Sequence, residues 1–193
     1  MAAYRYRQVS NCAGFSLVEL IIVVGIIGII SGIATFGFNN WKNKSTVESL
    51  IRQMASDLNE VRVRALTKKM RHSITLNANS YVFKYYSSEA YSSATELTAN
   101  GVIIPGGTHV VSYPLQKTPG TNYNGEVCEI DERGLFVTTT DCTIFTSGMA
   151  TPRATVFLGN GGANYGSFNC LALYMVRVNV GKQSTSGATC DDQ

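Results

Sequence analysis

Glu19 is the residue whose placement most needs a chemical explanation. It stands near the front of an apolar run, and no charged residue lies between Leu20 and Phe38. A carboxylate inside a bilayer costs at least ~2.5–3.5 kcal/mol toward a helix centre, and less toward an end. A chain that keeps one there needs a cation to meet it, within the subunit or on a neighbour. Breaking such a pair strands a charge, at a cost of about 3–5 kcal/mol. Glu19 therefore offers charge matching rather than bond making. Signals for catalysis are thin. His72 and His109 sit in no ligand spacing. Ser147 and Ser167 lack the surroundings of a nucleophile elbow. The glycine-rich residues 159–166 are followed by no lysine and no helix, so they make a poor phosphate cradle. The chain is read as a non-enzyme, with no catalytic residue, cofactor or metal expected.

The element that must carry Glu19 is a helix. Phe15 to Phe38 is 24 residues, about 36 Å as a helix, enough to cross a hydrocarbon core of about 30 Å. Arg5 and Arg7 precede it; Trp41, Lys42 and Lys44 follow. Both flanks are basic, so charge alone does not orient the segment; the short leader favours a cytoplasmic N-terminus. Trp41 suits a membrane–water boundary. Gly25, Gly28 and Gly32 form a small-residue strip roughly opposite Glu19, suited to close helix packing, although glycine is common in membrane helices anyway. Gly32-Ile33-Ala34 has the spacing of a secretory cleavage site, but the apolar run is too long and holds an acid.

Beyond it, Val47, Leu50, Ile51, Met54, Leu58, Val61 and Ala65 give residues 45–71 one apolar helical face. Ser45-x-x-Glu48 has the form of a capping box, which would start a new helix; one continuous helix is favoured, with residues 39–44 as a weak point. From Ser73 the pattern shortens to β-rich runs between Gly, Asn, Ser and Pro. Strands are expected at 74–76, 81–86, 102–104, 109–113, 126–130, 135–139, 155–158 and 171–180. Asp131-Glu132-Arg133-Gly134 reads as a hairpin turn with Gly134 at positive φ. The fold class is α+β: a long N-terminal helix, transmembrane in its first half and amphipathic in its second, packed on a β-rich antiparallel head.

Ala13-Gly14-Phe15-Ser16-Leu17-Val18-Glu19-Leu20 resembles the class III signal of type IV pilins and type II secretion pseudopilins. The resemblance implies cleavage by a prepilin peptidase between Gly14 and Phe15, N-methylation of Phe15, and Glu19 as the charge that registers the subunit in a helical fibre. It implies domains at 1–14 (leader), 15–72 (helix, with 15–38 transmembrane) and 73–193 (head). Many members carry a proline near the 22nd mature position; here it is Phe36. Residues 62–76, and the Glu-x-Asp-x-x-Gly turn before a long last strand, are similar to the GspH/FimT group of minor pilins. Expected partners are other pilins or pseudopilins, the peptidase, an inner-membrane assembly platform and the membrane itself, with the head in the periplasm. Low copy number near the fibre tip is implied, without choosing between pilus and secretion pseudopilus.

Two other classes stay open. One is a plain membrane-anchored periplasmic domain. The other is DNA capture, as in some FimT-like pilins. Residues 42–71 hold eight Lys/Arg against three acids, and residues 72–193 six against nine. Arg62, Arg64, Lys68, Lys69, Arg71 and Lys182 are the DNA-contact candidates. Solvated surface and salt bridges between subunits are the plainer account. In that subgroup a Gly-Arg-x-Arg element carries much of the contact; here Gly181-Lys182-Gln183-Ser184 has no arginine. Tyr81, Tyr85, Tyr86 and Tyr91 are read as strand packing before surface adhesion. Cys12 would leave with the leader, and the remaining Cys128, Cys142, Cys170 and Cys190 permit three pairings. The sequence-local choice is Cys128–Cys142 and Cys170–Cys190; the absence of CxxC spacing argues against zinc.

Overall fold

The computed structural model describes residues 14–87, 100–137, 153–159, 167–184 and 189–192, with the side chains of 33–37, 153 and 192 excepted. The chain divides into two compact units, Met1–Trp41 and Lys42–Gln193. One helix, α1 (Leu17–Lys68), runs through both, so the favoured continuity holds and Ser45 caps nothing. Glu48 instead accepts a hydrogen bond from the Ser167 backbone N–H at 2.6 Å.

In the first unit α1 is apolar on every side, and its described side chains from Leu17 to Ile30 are exposed. Among the described residues no helix is long and apolar enough to cross a membrane. The apolar stretch with described side chains, Leu17 to Gly32, is 16 residues, about 24 Å against a core of about 30 Å. The expected crossing by residues 15–38 is longer than that stretch and is not shown by the structure.

In the second unit the apolar stripe of α1 is the spine of the core. Val47, Ile51, Met54, Leu58, Val61 and Ala65 are buried, and Leu50 half-buried. The strands are β1 (His72–Asn77), β2 (Ser80–Tyr85), β3 (Val102–Val110), β4 (Leu115–Thr118), β5 (Thr121–Asn122), β6 (Asn124–Ile130), β7 (Arg153–Leu158), β8 (Cys170–Tyr174), β9 (Val178–Gln183) and β10 (Cys190–Asp192). They form two antiparallel sheets, in orders β3-β2-β1-β6 and β10-β9-β8-β7-β4-β5. Ile74, Leu76, Tyr81 and Phe83 of the first sheet meet Leu115, Val156, Leu171 and Leu173 of the second in one cluster with the helix stripe. Strand alternation sends the other side chains outward: Phe157, Cys170, Ala172 and Cys190 make a smaller cluster.

Three strand expectations change. Segments 102–104 and 109–110 are one strand, β3, whose register against β2 slips between Val82 and Lys84, and residues 111–113 fall outside it. Gly106 takes φ +75° in that irregular stretch. The span 171–180 is a hairpin, β8 and β9, with Tyr174 N–H donating to Arg177 O at 2.8 Å. Its apolar alternation continues through the turn, which hid the break. Within 135–137 there is no strand but a single bridge, Ile130 to Phe136; residues 138–139 lie outside those described. The turn at Asp131–Gly134 forms as expected. Asp131 Oδ1 accepts from the N–H groups of Arg133 and Leu135, and Gly134 has φ +71°.

Cys170 and Cys190 are disulfide-bonded, with Cα atoms 5.9 Å apart and a sequence separation of 20. The bond joins β8 to β10, which pairs with β9, so the tail end is held in the sheet. Closing a loop of this length contributes about 3 kcal/mol in the chain-entropy model. Replacing both cysteines by serine should lower the stability of the full chain in non-ionic detergent by about that amount. Urea unfolding checks it, and an unchanged midpoint would show that strand pairing alone holds β10.

Candidate functional site

Six basic residues were candidates for one anionic surface, and the structure separates them. Arg62 is a clamp. Its Nε donates to Gly134 O at 2.7 Å and an Nη donates to Val176 O at 2.6 Å. Its guanidinium lies over the Phe136 ring, 5.7 Å from the centroid. One side chain thus ties α1 to the turn after β6 and to the β8–β9 turn, and burial holds its pKa below the ordinary value. Gly134 sits close beneath the helix: a Cβ there would lie 3.0 Å from Arg62 O. Arg71 reaches Glu129 of β6 at 2.9 Å, and Glu129 is only 2% exposed. Arg64 pairs with Glu60 one turn earlier, at 2.6 Å. Lys68, Lys69 and Lys182 are exposed. Lys69 ends the helix at φ +52°, a left-handed stop more often filled by glycine. Arg62 and Arg71 act inside the head, and the sequence showed their charge without showing the carbonyls and carboxylate that use it.

Burial lifts the Glu129 carboxyl above its ordinary range; Arg71 pulls it partly back and Asp131 pushes it up again. Glu126 moves the other way. Burial raises it, but Lys117 at 2.6 Å and hydrogen bonds from the Asn124 and Glu126 N–H groups outweigh that.

The tyrosines pack as strand residues. Tyr81 and Tyr86 are buried and Tyr85 is half-buried. Tyr81 donates to Asp57 Oδ2 at 2.7 Å, and His109 stacks on its ring. Burial, offset by a hydrogen bond with Ser73 and reinforced by Glu129, pushes the Tyr86 phenol up to about 12. Cys128 is disulfide-bonded too. Cys142, Tyr91, Ser147 and residues 160–166 lie outside the described residues. Gly181 is buried where β10 passes: a Cβ would meet Asp191 O at 2.5 Å. That close approach explains the glycine before Lys182 without a ligand. Among the described residues, no group of three His, Cys, Asp or Glu is placed to hold a metal.

At the N-terminus, Gly14, Phe15 and Ser16 precede the helix, and Leu20 N–H donates to Ser16 O at 3.2 Å. Phe15 is 83% exposed, and among the described residues a Cβ placed on Gly14 would meet nothing within 4 Å. The Gly14–Phe15 bond is thus in open, non-helical backbone just ahead of the helix. Glu19 lies in the first turn, where a carboxylate suits the helix dipole. Residues 9–35 match the family described as the prokaryotic N-terminal methylation motif. The chain carries a type IV pilin-like signal. The match takes in Gly14, Phe15 and Glu19 and ends before the head begins. No curated protein matches the chain, and neither does any solved structure. The pilin-like signal supports the broader pilin and pseudopilin class, with peptidase processing and assembly with other pilins as that class implies.

Two outcomes follow from the clamp and the buried acid. Arg62→Lys should cost about 1.5–3 kcal/mol in urea unfolding, because an ammonium cannot span both carbonyls. A loss no larger than that of a surface substitution would refute the clamp. For Glu129 the folded carboxyl titrates above the unfolded one. Its contribution is therefore complete below the unfolded value and lost as pH rises through the folded value. As pH rises above about 4 the native chain should lose stability relative to Glu129→Gln, whose amide copies the protonated acid. A midpoint difference independent of pH would contradict the raised carboxyl.

Proposed function

We propose that this chain is a minor pilin or pseudopilin subunit. Prepilin peptidase cuts after Gly14 and Phe15 becomes N-methylated. Residues 15–38 hold the subunit in the bacterial inner membrane, with the head in the periplasm. The helix then passes from lipid into a helical fibre, a type IV pilus or a type II secretion pseudopilus, with its head at or near the tip. The carrying observation is the methylation-motif match over residues 9–35, placed at the start of a helix whose far half is built into a β-rich head.

The physical logic starts with the cut. A new ammonium at Phe15 would face the positive end of the helix dipole, an unfavourable contact of about 0.3–1 kcal/mol. Glu19, four residues on and in the first turn, can offset it within a subunit or across two. In lipid this carboxylate lacks water, so a neighbour's ammonium is a partner of high value. The apolar side chains from Leu17 to Ile30, exposed all round, suit either lipid or a bundle of like helices. The two glycines Gly25 and Gly28 leave open space beside the helix, which favours close approach of such a neighbour. DNA capture is the weaker reading, since Arg62 and Arg71 are engaged within the head.

Intact-mass measurement on protein purified from its own host should find a chain beginning at N-methylated Phe15. A chain still beginning at Met1 would favour the plain membrane-anchored domain. Glu19→Ala should leave cleavage largely intact and reduce incorporation into sheared fibres, read by immunoblot; fibre content equal to the native level would refute charge matching.

A further inference from the structure

A cavity of 180 Å³ lies between the end of α1 and the β2 and β3 strands. Arg64 and Lys68 enter it from one face of the helix, His72 from the start of β1 and Tyr85 from the end of β2. Met70 and Pro105 form apolar wall, and among the described residues no carboxylate lines it. Glu60 takes Arg64 Nε and one Nη, at 3.0 and 2.6 Å, which leaves part of the guanidinium fork for the cavity. His72 is only 3% exposed, and its Nδ1 donates to Met70 O at 2.8 Å. That bond fixes the tautomer and leaves Nε2 as the nitrogen that can gain a proton.

Three groups able to carry positive charge therefore converge on one cavity beside a phenol. The helix dipole accounts for Lys68, which stands in the last turn. It does not account for a histidine drawn from a strand and buried next to the two cations. Burial holds the His72 imidazole below its ordinary value; the Met70 carbonyl pulls it partly back, and Arg64 and Lys68 push it further down. An anion in the cavity would reverse the push from those two cations.

We propose that this cavity is a binding site for a phosphate monoester carried on a small ring. Arg64, Lys68 and protonated His72 match a dianion with three terminal oxygens. At 180 Å³ the cavity is larger than the roughly 150 Å³ of an engineered cavity that holds benzene, so a ring fits against Tyr85 and Pro105 beside the cations. Above the ester's own second pKa of about 6, affinity falls as pH rises, because the bound form needs His72 protonated, and saturation raises the apparent pKa of His72. Among the described residues the facing charged and titratable groups are Arg64 and Lys68 from α1 and Tyr85 from β2; the lining residues of β3 add none.

The chain has two histidines, which makes the test direct. The full chain, labelled with ¹³C-histidine in non-ionic detergent, is titrated with phenyl phosphate, and both imidazoles are followed by NMR. His72 should shift saturably, with a dissociation constant of about 1 mM or tighter. His109 should stay in place, and Lys68→Gln, an exposed change, should weaken binding about tenfold. Benzoate should bind more weakly than phenyl phosphate. An end-blocked oligonucleotide, offering only phosphodiesters, should leave His72 unmoved. No saturable shift, a shift unaffected by Lys68→Gln, benzoate binding as tight as phenyl phosphate, or displacement of phenyl phosphate by the oligonucleotide would each overturn the assignment.

Discussion

The head depends on one stripe of side chains. Val47, Ile51, Met54, Leu58, Val61 and Ala65 recur on a single helical face, and both sheets bury inner residues against its stretch from Ile51 to Ala65. Each sheet alone would expose an apolar face to water. Among the described residues no strand of one sheet pairs with a strand of the other; beside single links such as Leu115 N–H to Ala78 O, the helix stripe is the surface they share. The second half of α1 is therefore restricted to one apolar side, while the first half is free to be apolar on every side. That change in pattern divides the chain near Trp41 without breaking the helix.

The stripe alone would let the helix slide along its axis, since hydrophobic contact has no fixed direction. Polar contacts supply the register. Arg62 binds two backbone carbonyls on different turns, Glu48 takes the Ser167 N–H, and Tyr81 reaches Asp57. Each places a directional bond at a different height of α1. Arg71, just past the helix end, adds an ion pair to Glu129 of β6. A carbonyl that loses its donor inside this seam costs more than a typical bond is worth, so the contacts favour a single seating of helix on sheets.

Much of this was legible in the sequence, for identifiable reasons. The helix stripe is a period repeated across 19 residues, Val47 to Ala65, and such repeats survive local noise. The Asp131–Gly134 turn was legible because only glycine enters φ +71° cheaply. The Cys170–Cys190 bond was one of the sequence-local pairings left open. By contrast, β4, β5 and β10 are two to four residues long, too short to show alternation. The hairpin inside 171–180 was hidden because Met175 and Val176 continue an apolar run through a turn and end up exposed. The roles of Arg62 and Arg71 were not legible at all. A guanidinium bound to carbonyls 72 and 114 positions away looks, in one dimension, like any surface charge.

The sheet edges bear on how such a subunit could polymerise. A free edge strand is a template for adding another chain. Among the described strands each edge is blunted. β3 is interrupted by Pro105 and by Gly106 at φ +75°, with a register slip against β2. β6 is covered by the chain returning after its turn, where Val137 N–H donates to Glu129 O. β5 has two residues, and β10 has three, of which two are aspartates. Uncontrolled strand addition between heads is thereby disfavoured, even though Val102, Ile103 and Val110 are exposed on β3. If polymerisation runs through the N-terminal helix, as proposed, this is the arrangement it requires. Two competing modes of self-association would scramble the order of subunits, and the head suppresses one of them by the geometry of its edges.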